Sequence, residues 1–425
     1  MNTGNRKVEE TTLANGLVVV TEPMEHVRSV SVGIWIRSGS RREAAEFNGI
    51  SHFIEHMVFK GTARRKAEDI AREVDRVGGM VDAFTAKEMV CFNTRVLDEH
   101  LEIAFDVLAD MMLHPQFPVE EISREISVVL EEIRMVEDSP EDLVHEMFSK
   151  NLWGCHPLGR PILGTTESVS RFDRDTLNDW FRRWYVPNNI VITAAGNVSH
   201  QRLLDLIIPR FGECVPGKSS DSDTPPLPRA ELASRSKAEL EQVHLCLGVP
   251  AYSMMDSRRY AVSVLSNLLG SGMSSRLFQN IREKQGLAYA VFSETNHYRD
   301  AGMLTIYAGT SLETVEQLIR SVMSELRDLK EKPVTDEELR RSKANLKGAT
   351  LLSLESTGSR MSDLARQYLY FGRYLSLDDR IAAVEAVTQE EIQRVANDLF
   401  QPSRIAASLV GSLNGFDLTS AHLCC

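Results

Sequence analysis

No stretch of this 425-residue chain reaches 18 consecutive apolar residues, so no membrane-spanning helix is expected and a membrane is not among its expected partners. The opening segment, MNTGNRKVEETTLANG, lacks the apolar core of a secretory signal. Glu9 and Glu10 also spoil any Arg-rich amphipathic pattern of an organellar targeting peptide, which leaves the cytoplasm as the expected address. Cysteine is scarce: Cys91, Cys155, Cys214, Cys246, Cys424 and Cys425 are all there is, and no two form a C-x-x-C pair. In a long chain without an export signal these read as free thiols, not as a disulfide framework. The last two, in HLCC, do not fit the C-a-a-X lipidation pattern and read as an exposed tail. Positive charge is also short. Lys and Arg number 48 against 60 Asp and Glu, a net charge of −12. Phosphate binding needs clustered cations, so nucleic acid is not an expected partner, whereas substrates with basic residues are compatible.

What is present is ordinary globular material: 43% apolar and 25% charged residues. The length exceeds what one core usually organises, so two domains are expected. The segment VPGKSSDSDTPPLPRAEL, residues 215–232, is rich in Pro, Ser and Asp and has linker composition. It divides residues 1–214 from residues 233–425. The two halves look related. Pro187 and Pro402, Gly196 and Gly411, Tyr185 and Phe400, Val169 and Val384, and Leu177 and Ile392 each stand 215 residues apart, as do PVEEISREI at Pro118 and PVTDEELRR at Pro333. Several matches in one register indicate a tandem duplication.

Each half mixes both hydrophobic periods. LVVVTEP, SVSVGIWIRSG and NIVITAAG are strand-like; residues 64–77, 97–113, 119–137 and 258–279 are helix-like. Strands and helices do not alternate strictly, as a doubly wound parallel sheet would require. The pattern predicts an α+β fold of two homologous domains, each a largely antiparallel sheet covered by helices on one face.

The chemistry starts at HFIEH, residues 52–56. Asn48 and Gly49 precede the helix that carries it, and Lys60 and Gly61 follow, as helix ends prefer. Positions i and i+4 share a face, so His52 and His56 point the same way, spaced as two ligands of one ion need to be. Glu55 borders that face, placed to act on a water beside the ion. H-x-x-E-H inverts the H-E-x-x-H motif of zinc proteases, and zinc favours imidazole ligands with one position left open. Two imidazoles on a half-buried helix could equally hydrogen-bond to backbone, and the motif supplies no third ligand. Downstream, EEISREISVVLEEIRMVEDSPED is helical, with Ile122, Ile126, Val129 and Ile133 as its apolar stripe. Glu125 and Glu132, seven apart, share a face, which Glu131 does not. One could ligate and the other support a ligand His, or both could face water.

With these residues in hand, the sequence resembles the inverzincin metallopeptidases, a family that includes pitrilysin, insulin-degrading enzyme and the mitochondrial processing peptidase. H-x-x-E-H is followed 76 residues after its second His by the final Glu of E-x-x-x-V-x-x-E, which is Glu132 here. The resemblance implies one Zn²⁺ per chain held by His52, His56 and Glu132, with Glu125 supporting them. Glu55 would be the general base acting on zinc-bound water. GGMVDAFTAKEMVCF resembles the family's edge strand beside the metal, where Ala83, Phe84 and Thr85 would meet a substrate backbone added as a strand. Asp82, Val90 and Phe92 depart from the residues common there.

The equivalent helix of the second half, RRYAVSVLSNLLGSGMSSRLFQ, has no His or Glu and offers no second zinc motif. In IREKQGLAYAVFS, Arg282 and Tyr289 match an Arg and Tyr that the family uses to orient the substrate carbonyl and bind near the oxyanion; by themselves they read as a surface Arg and a strand Tyr. The family closes four such domains around its substrate. A two-domain chain carrying both parts therefore implies a clamshell formed on dimerisation, most economically a homodimer, alternatively a heterodimer with an inactive homologue. The implied function is an endopeptidase acting on peptides or unfolded segments inside a closed chamber. The competing readings are a non-catalytic structural or assembly subunit and a zinc-stabilised binding protein.

Overall fold

The computed structural model of the protein describes residues 7–217 and 223–425. The first half runs β1 Glu9–Thr12, β2 Val18–Pro23, β3 Ser29–Ile36, α1 Ile50–Val58, α2 Ala67–Asp75, β4 Met80–Thr85, β5 Val90–Leu97, α3 Leu101–Leu113, α4 Val119–Asp138, α5 Pro140–Trp153, α6 Thr166–Val169, α7 Arg174–Trp184, β6 Ile190–Gly196 and α8 His200–Phe211. The second runs β7 Leu232–Ser236, β8 Val243–Ala251, α9 Arg259–Gly270, β9 Ala290–His297, β10 Gly302–Thr310, α10 Val315–Glu331, α11 Asp336–Ser353, α12 Thr357–Phe371, α13 Leu377–Glu385, α14 Gln389–Leu399 and β11 Ala406–Gly411. Among these helices none is long and apolar enough to cross a membrane. The middle of the expected linker, residues 218–222, lies outside the described residues.

The chain forms two compact units that are not contiguous in sequence. One takes the described residues up to Arg134, those from Pro161 to the end of the first half, and Leu352–Leu375. The other takes Met135–Arg160, Asp223–Leu351 and Ser376–Cys425. Helix α12 of the second half therefore belongs to the first unit, and α5 of the first half to the second.

In the first unit the strand order is β1-β2-β6-β3-β5-β4. Only the β2–β6 pairing is parallel. Strand β3 explains the layering, because side chains alternate between sheet faces. Val30, Val32, Ile34 and Ile36 join Phe53, Ile54 and Met57 of α1, Phe105 and Leu108 of α3 and Leu177 of α7 in one core. Trp35 points the other way, into a cluster with Met361, Leu364, Ala365, Tyr368 and Leu369 of α12. A polar chain runs under α12: Trp35 Nε1 donates to Thr193 Oγ1 (2.9 Å), which donates to the Met361 carbonyl (3.0 Å). The α+β class is as the sequence predicts. The structure adds a helix on the second face of the sheet, because that face too carries large apolar side chains to bury.

The second unit has the order β7-β11-β8-β10-β9, with β7–β11 its parallel pair. This repeats β2-β6-β3-β5-β4 strand for strand. Pro187 and Pro402 both open short 3-10 turns leading into β6 and β11, and Tyr185 and Phe400 both cap the helices before them. Helix α5 covers β8 and β11, burying Leu143, Val144, Phe148 and Leu152. The helix predicted over 258–279 is not continuous. It stops at Gly270, Gly272 adopts φ +85°, and a π-helical turn follows at Phe278–Glu283. All six cysteines are free.

Candidate metal centre

Helix α1 is short and would be marginal alone. Two devices fix its start. Gly49 precedes it at φ +94°, and a Cβ there would lie 2.6 Å from the Leu163 carbonyl oxygen. The buried Glu43 carboxylate then accepts from the backbone N–H groups of Gly49 (2.7 Å) and Ser51 (2.9 Å) and from Asn48 Nδ2 (3.0 Å). A carboxylate on otherwise unpartnered amides at a helix N-terminus opposes their positive end. Burial pushes the Glu43 carboxyl up, and these donors counter part of that rise. Phe53, Ile54, Met57 and Val58 are fully buried, which sets the helix rotation and leaves His52 and His56 on the other face. Their ring centroids are 4.6 Å apart.

Helix α4 buries Ile122, Glu125 and Val129, with Ile126, Leu130 and Ile133 packed beside them. The same face delivers Glu132. His52 Nε2 lies 3.7 Å from one Glu132 oxygen and His56 Nε2 lies 3.7 Å from the other. One donor atom from each of His52, His56 and Glu132 falls within 4.8 Å of the others, the one such group of His, Cys, Asp or Glu among the described residues. Donors about 2.0–2.1 Å from a shared tetrahedral ion would stand roughly 3.3 Å apart, so a small divalent cation fits with little adjustment. Glu132 Oε2 and His52 Nδ1 are buried with no hydrogen-bond partner among the described residues. An orphaned oxygen on a carboxylate that faces two imidazoles is the state that a cation would relieve.

The electrostatics suit ligation. Burial, reinforced by His56, brings the His52 imidazole down to about 4, so it is neutral with a free lone pair at neutral pH. Burial would also lower His56. The hydrogen bond from its Nδ1 to Glu125 Oε2 (3.0 Å) and the charges of Glu132, Glu125 and Glu55 outweigh that and raise it. Glu125 is itself raised by burial, but His56 and Lys60, whose Nζ stands 2.5 Å from Glu125 Oε1, hold its carboxyl below the ordinary value. Glu55 lies beside the two His on α1. Burial raises its carboxyl, partly offset by the hydrogen bond that Thr85 Oγ1 donates to its Oε2 (2.6 Å). A carboxylate with a raised pKa is better matched to taking a proton near neutral pH.

Thr85 ends β4, the sheet's edge strand beside α1. Ala83 and Thr85 face α1, whereas Phe84 turns to the opposite face against Trp35, with ring centroids 5.7 Å apart. The first unit thus brings together His52, Glu55, His56, Glu125, Glu132, Ala83 and Thr85, with Phe84 on the same edge. Arg282 and Tyr289 belong to the second unit. There the Arg282 guanidinium sits 4.6 Å from the Tyr289 ring centroid and 4.6 Å from that of Phe278, and Tyr289 is 78% exposed just before β9. Sequence reasoning missed Glu43 altogether and saw Lys60 only as a helix-end residue. Neither has a local signal, because each meets its partner through the fold.

Comparison with known proteins matches residues 18–166 to the family model described as insulinase (peptidase family M16) and residues 171–346 to that of the peptidase M16 inactive domain. The chain is similar to the uncharacterized zinc protease YmxG of Bacillus subtilis, 44% identical with 92% of this chain and 96% of that protein covered. It is also similar to the uncharacterized zinc protease SCO5738 of Streptomyces coelicolor, 39% identical with 98% and 92% covered. The fold matches a crystal structure of a protease from Helicobacter pylori with a TM-score of 0.89 at 24% identity, covering 95% of this chain and 99% of that one.

Proposed function

The chain belongs to the insulinase family of peptidases, M16, and from that membership and the geometry above we propose that it is a zinc-dependent endopeptidase. The observation that carries this reading is the His52–His56–Glu132 donor cluster with Glu55 on the same helix. His52 and His56, through Nε2, and Glu132, through its carboxylate, would hold one Zn²⁺. When bound, the ion supplies a Lewis acid that acidifies water and polarises a peptide carbonyl. Glu55 accepts the proton of the attacking water and returns it to the leaving amine, so one water is consumed for each peptide bond broken. Thr85 keeps the Glu55 carboxylate in place through Oε2. The free side of β4 offers backbone groups to an extended peptide, with Ala83, Phe84 and Thr85 beside it, which favours unfolded segments and broad sequence selectivity. Arg282 would orient the substrate carbonyl and Tyr289 would stabilise the oxyanion. We place them in a facing subunit of a homodimer that closes a chamber around the substrate; a heterodimer with an inactive homologue is the alternative.

The decisive experiment is Glu55→Gln. Its zinc content is expected to stay near that of the wild type, while cleavage of a quenched peptide library falls by roughly 10²–10⁴-fold. Full activity in the variant, or no zinc in the wild type, rejects the mechanism. A stable, active monomer in size-exclusion chromatography rejects the dimer.

A further inference from the structure

Resting on the zinc reading of this site, we propose that Lys60 is a positioning residue that sets the orientation of His56 through Glu125. Lys60 stands two residues beyond the end of α1, and its backbone N–H bonds the Met57 carbonyl at 3.1 Å. A Lys there is expected simply from the negative end of the helix. Its ammonium does something more specific, because it reaches across to α4. Nζ lies 2.5 Å from Glu125 Oε1, and the side chain is 28% exposed against 5% for Glu125. The other oxygen, Oε2, is 3.0 Å from His56 Nδ1. Both oxygens of a buried carboxylate are therefore committed, one to a cation and one to an imidazole.

This matters because the terminal torsion of Glu is soft. With Oε1 tied to Lys60, Oε2 is fixed towards Nδ1. Nδ1 then donates, and the lone pair of His56 sits on Nε2, which faces Glu132 Oε1 at 3.7 Å. His52 has no comparable support, since its Nδ1 is buried without a partner among the described residues. Among the described residues, His56 is the one of the two imidazoles locked by an outer hydrogen bond, and Lys60 is the far anchor of that lock.

The test uses the full-length, metal-stripped protein titrated with zinc against a chromophoric chelator. The variants are Lys60→Met, Lys60→Arg, Glu125→Gln, and Lys60→Met combined with Glu125→Gln. Partners of ligand imidazoles are worth about 10–100-fold in metal affinity, so Lys60→Met is expected to weaken zinc by about tenfold. KM should change little, and Lys60→Arg should recover most of the loss. In the Glu125→Gln background, Lys60→Met should add nothing. Wild-type zinc affinity in Lys60→Met, even with a lower unfolding midpoint, would make Lys60 structural only and overturn the proposal. So would independent, additive losses in the double variant. His52→Ala run in parallel separates the two ideas. If it binds zinc like the wild type, the zinc site and the role of Lys60 fall together. If it loses zinc while Lys60→Met keeps it, only the role of Lys60 falls.

Discussion

Glu43 lies outside the donor cluster, yet the geometry of α1 depends on it, and Glu43→Gln tests that dependence. In the native structure Oε2 accepts from Asn48 Nδ2 and the Gly49 N–H, and Oε1 accepts from the Ser51 N–H. Glutamine keeps the shape and replaces one oxygen with an NH₂ group. That group meets a backbone N–H and leaves a buried donor unpartnered, a cost of about 1–3 kcal/mol. The surviving bonds become neutral and lose roughly half their strength, and the favourable charge at the helix start, worth up to ~1–2 kcal/mol when partly buried, disappears. The carboxylate also carries a desolvation cost that glutamine avoids, and because burial raises the Glu43 carboxyl despite its donors, this cancels the lost charge contribution. What remains is the unpartnered donor, a destabilisation of about 1–3 kcal/mol. For a unit of this size that is roughly 2–12 °C in unfolding midpoint. The assay is thermal unfolding of the metal-free protein with a parallel zinc titration. Because His52 and His56 are delivered by this helix, zinc affinity is expected to fall with stability. A Glu43→Gln protein with the wild-type midpoint and wild-type zinc affinity would refute the reasoning.

Thr85→Val removes the hydroxyl on Glu55 Oε2 and is expected to lower kcat by about tenfold, the loss of one charge-assisted hydrogen bond, with zinc binding unchanged and Thr85→Ser restoring activity. Equal kcat in Thr85→Val would remove Thr85 from the account. Burial raises the Asp106 carboxyl, but hydrogen bonds from Arg65, Arg210 and Arg64 outweigh it and bring it down to about 2. A depressed folded pKa stabilises above the ordinary carboxylate range and is lost as pH falls from about 4 to 2, so about 1–2 kcal/mol, after allowance for partial exposure, should vanish over that window. Asp106→Asn should already lack it at pH 7, and thermal midpoints that run parallel from pH 7 to pH 2 in the two proteins would count against this. Leu364→Ala, in α12, should cost the first unit about 2–5 kcal/mol because the side chain is fully buried, and a urea midpoint equal to that of the wild type would deny α12 its place on the sheet.

The parts of this molecule that local pattern dictates were legible. The alternation in SVSVGIWI is β3, and the i, i+4 spacing in HFIEH puts two imidazoles on one face of α1. Glu132 was legible only in part. Helical phase put it on a face with Glu125, but acidic helix faces usually meet water, and only the family resemblance singled it out. The exchange of α5 and α12 between compact units has no local signature. An apolar stripe such as Met361, Leu364, Ala365 and Tyr368 demands a partner without naming which sheet supplies it. The break after α9 was visible in Gly270 and Gly272 but was overridden by the apolar run on either side. Glu43 sits in a loop, and its meeting with the α1 amides exists only once the chain has folded back.

The two halves share a strand order yet treat the same helix pair differently, and the difference bears on why only one should need a metal. In α4 the buried row is Ile122, Glu125, Val129; in α11 it is Leu339 and Ser342, continued by the partly buried Leu346, at the same spacing. Where the first half has the His56–Glu125 bond between its two helices, the second has Ser342 Oγ donating to Asn267 Oδ1 (3.0 Å), with Asn267 Nδ2 donating to Asn345 Oδ1 (2.8 Å). The second cluster is built from neutral groups that satisfy one another, as buried polar atoms must. The first leaves Glu132 Oε2 and His52 Nδ1 without hydrogen-bond partners among the described residues and gathers three carboxylates, Glu55, Glu125 and Glu132, around two imidazoles with Lys60 as the nearby cation. Desolvating that much negative charge is unfavourable unless further positive charge is present. A divalent cation would supply it. The same strand order thus frames one polar cluster of neutral groups and one whose charge and unpaired atoms a divalent cation would balance, and the second half, with neither His nor Glu on α9, makes no such demand.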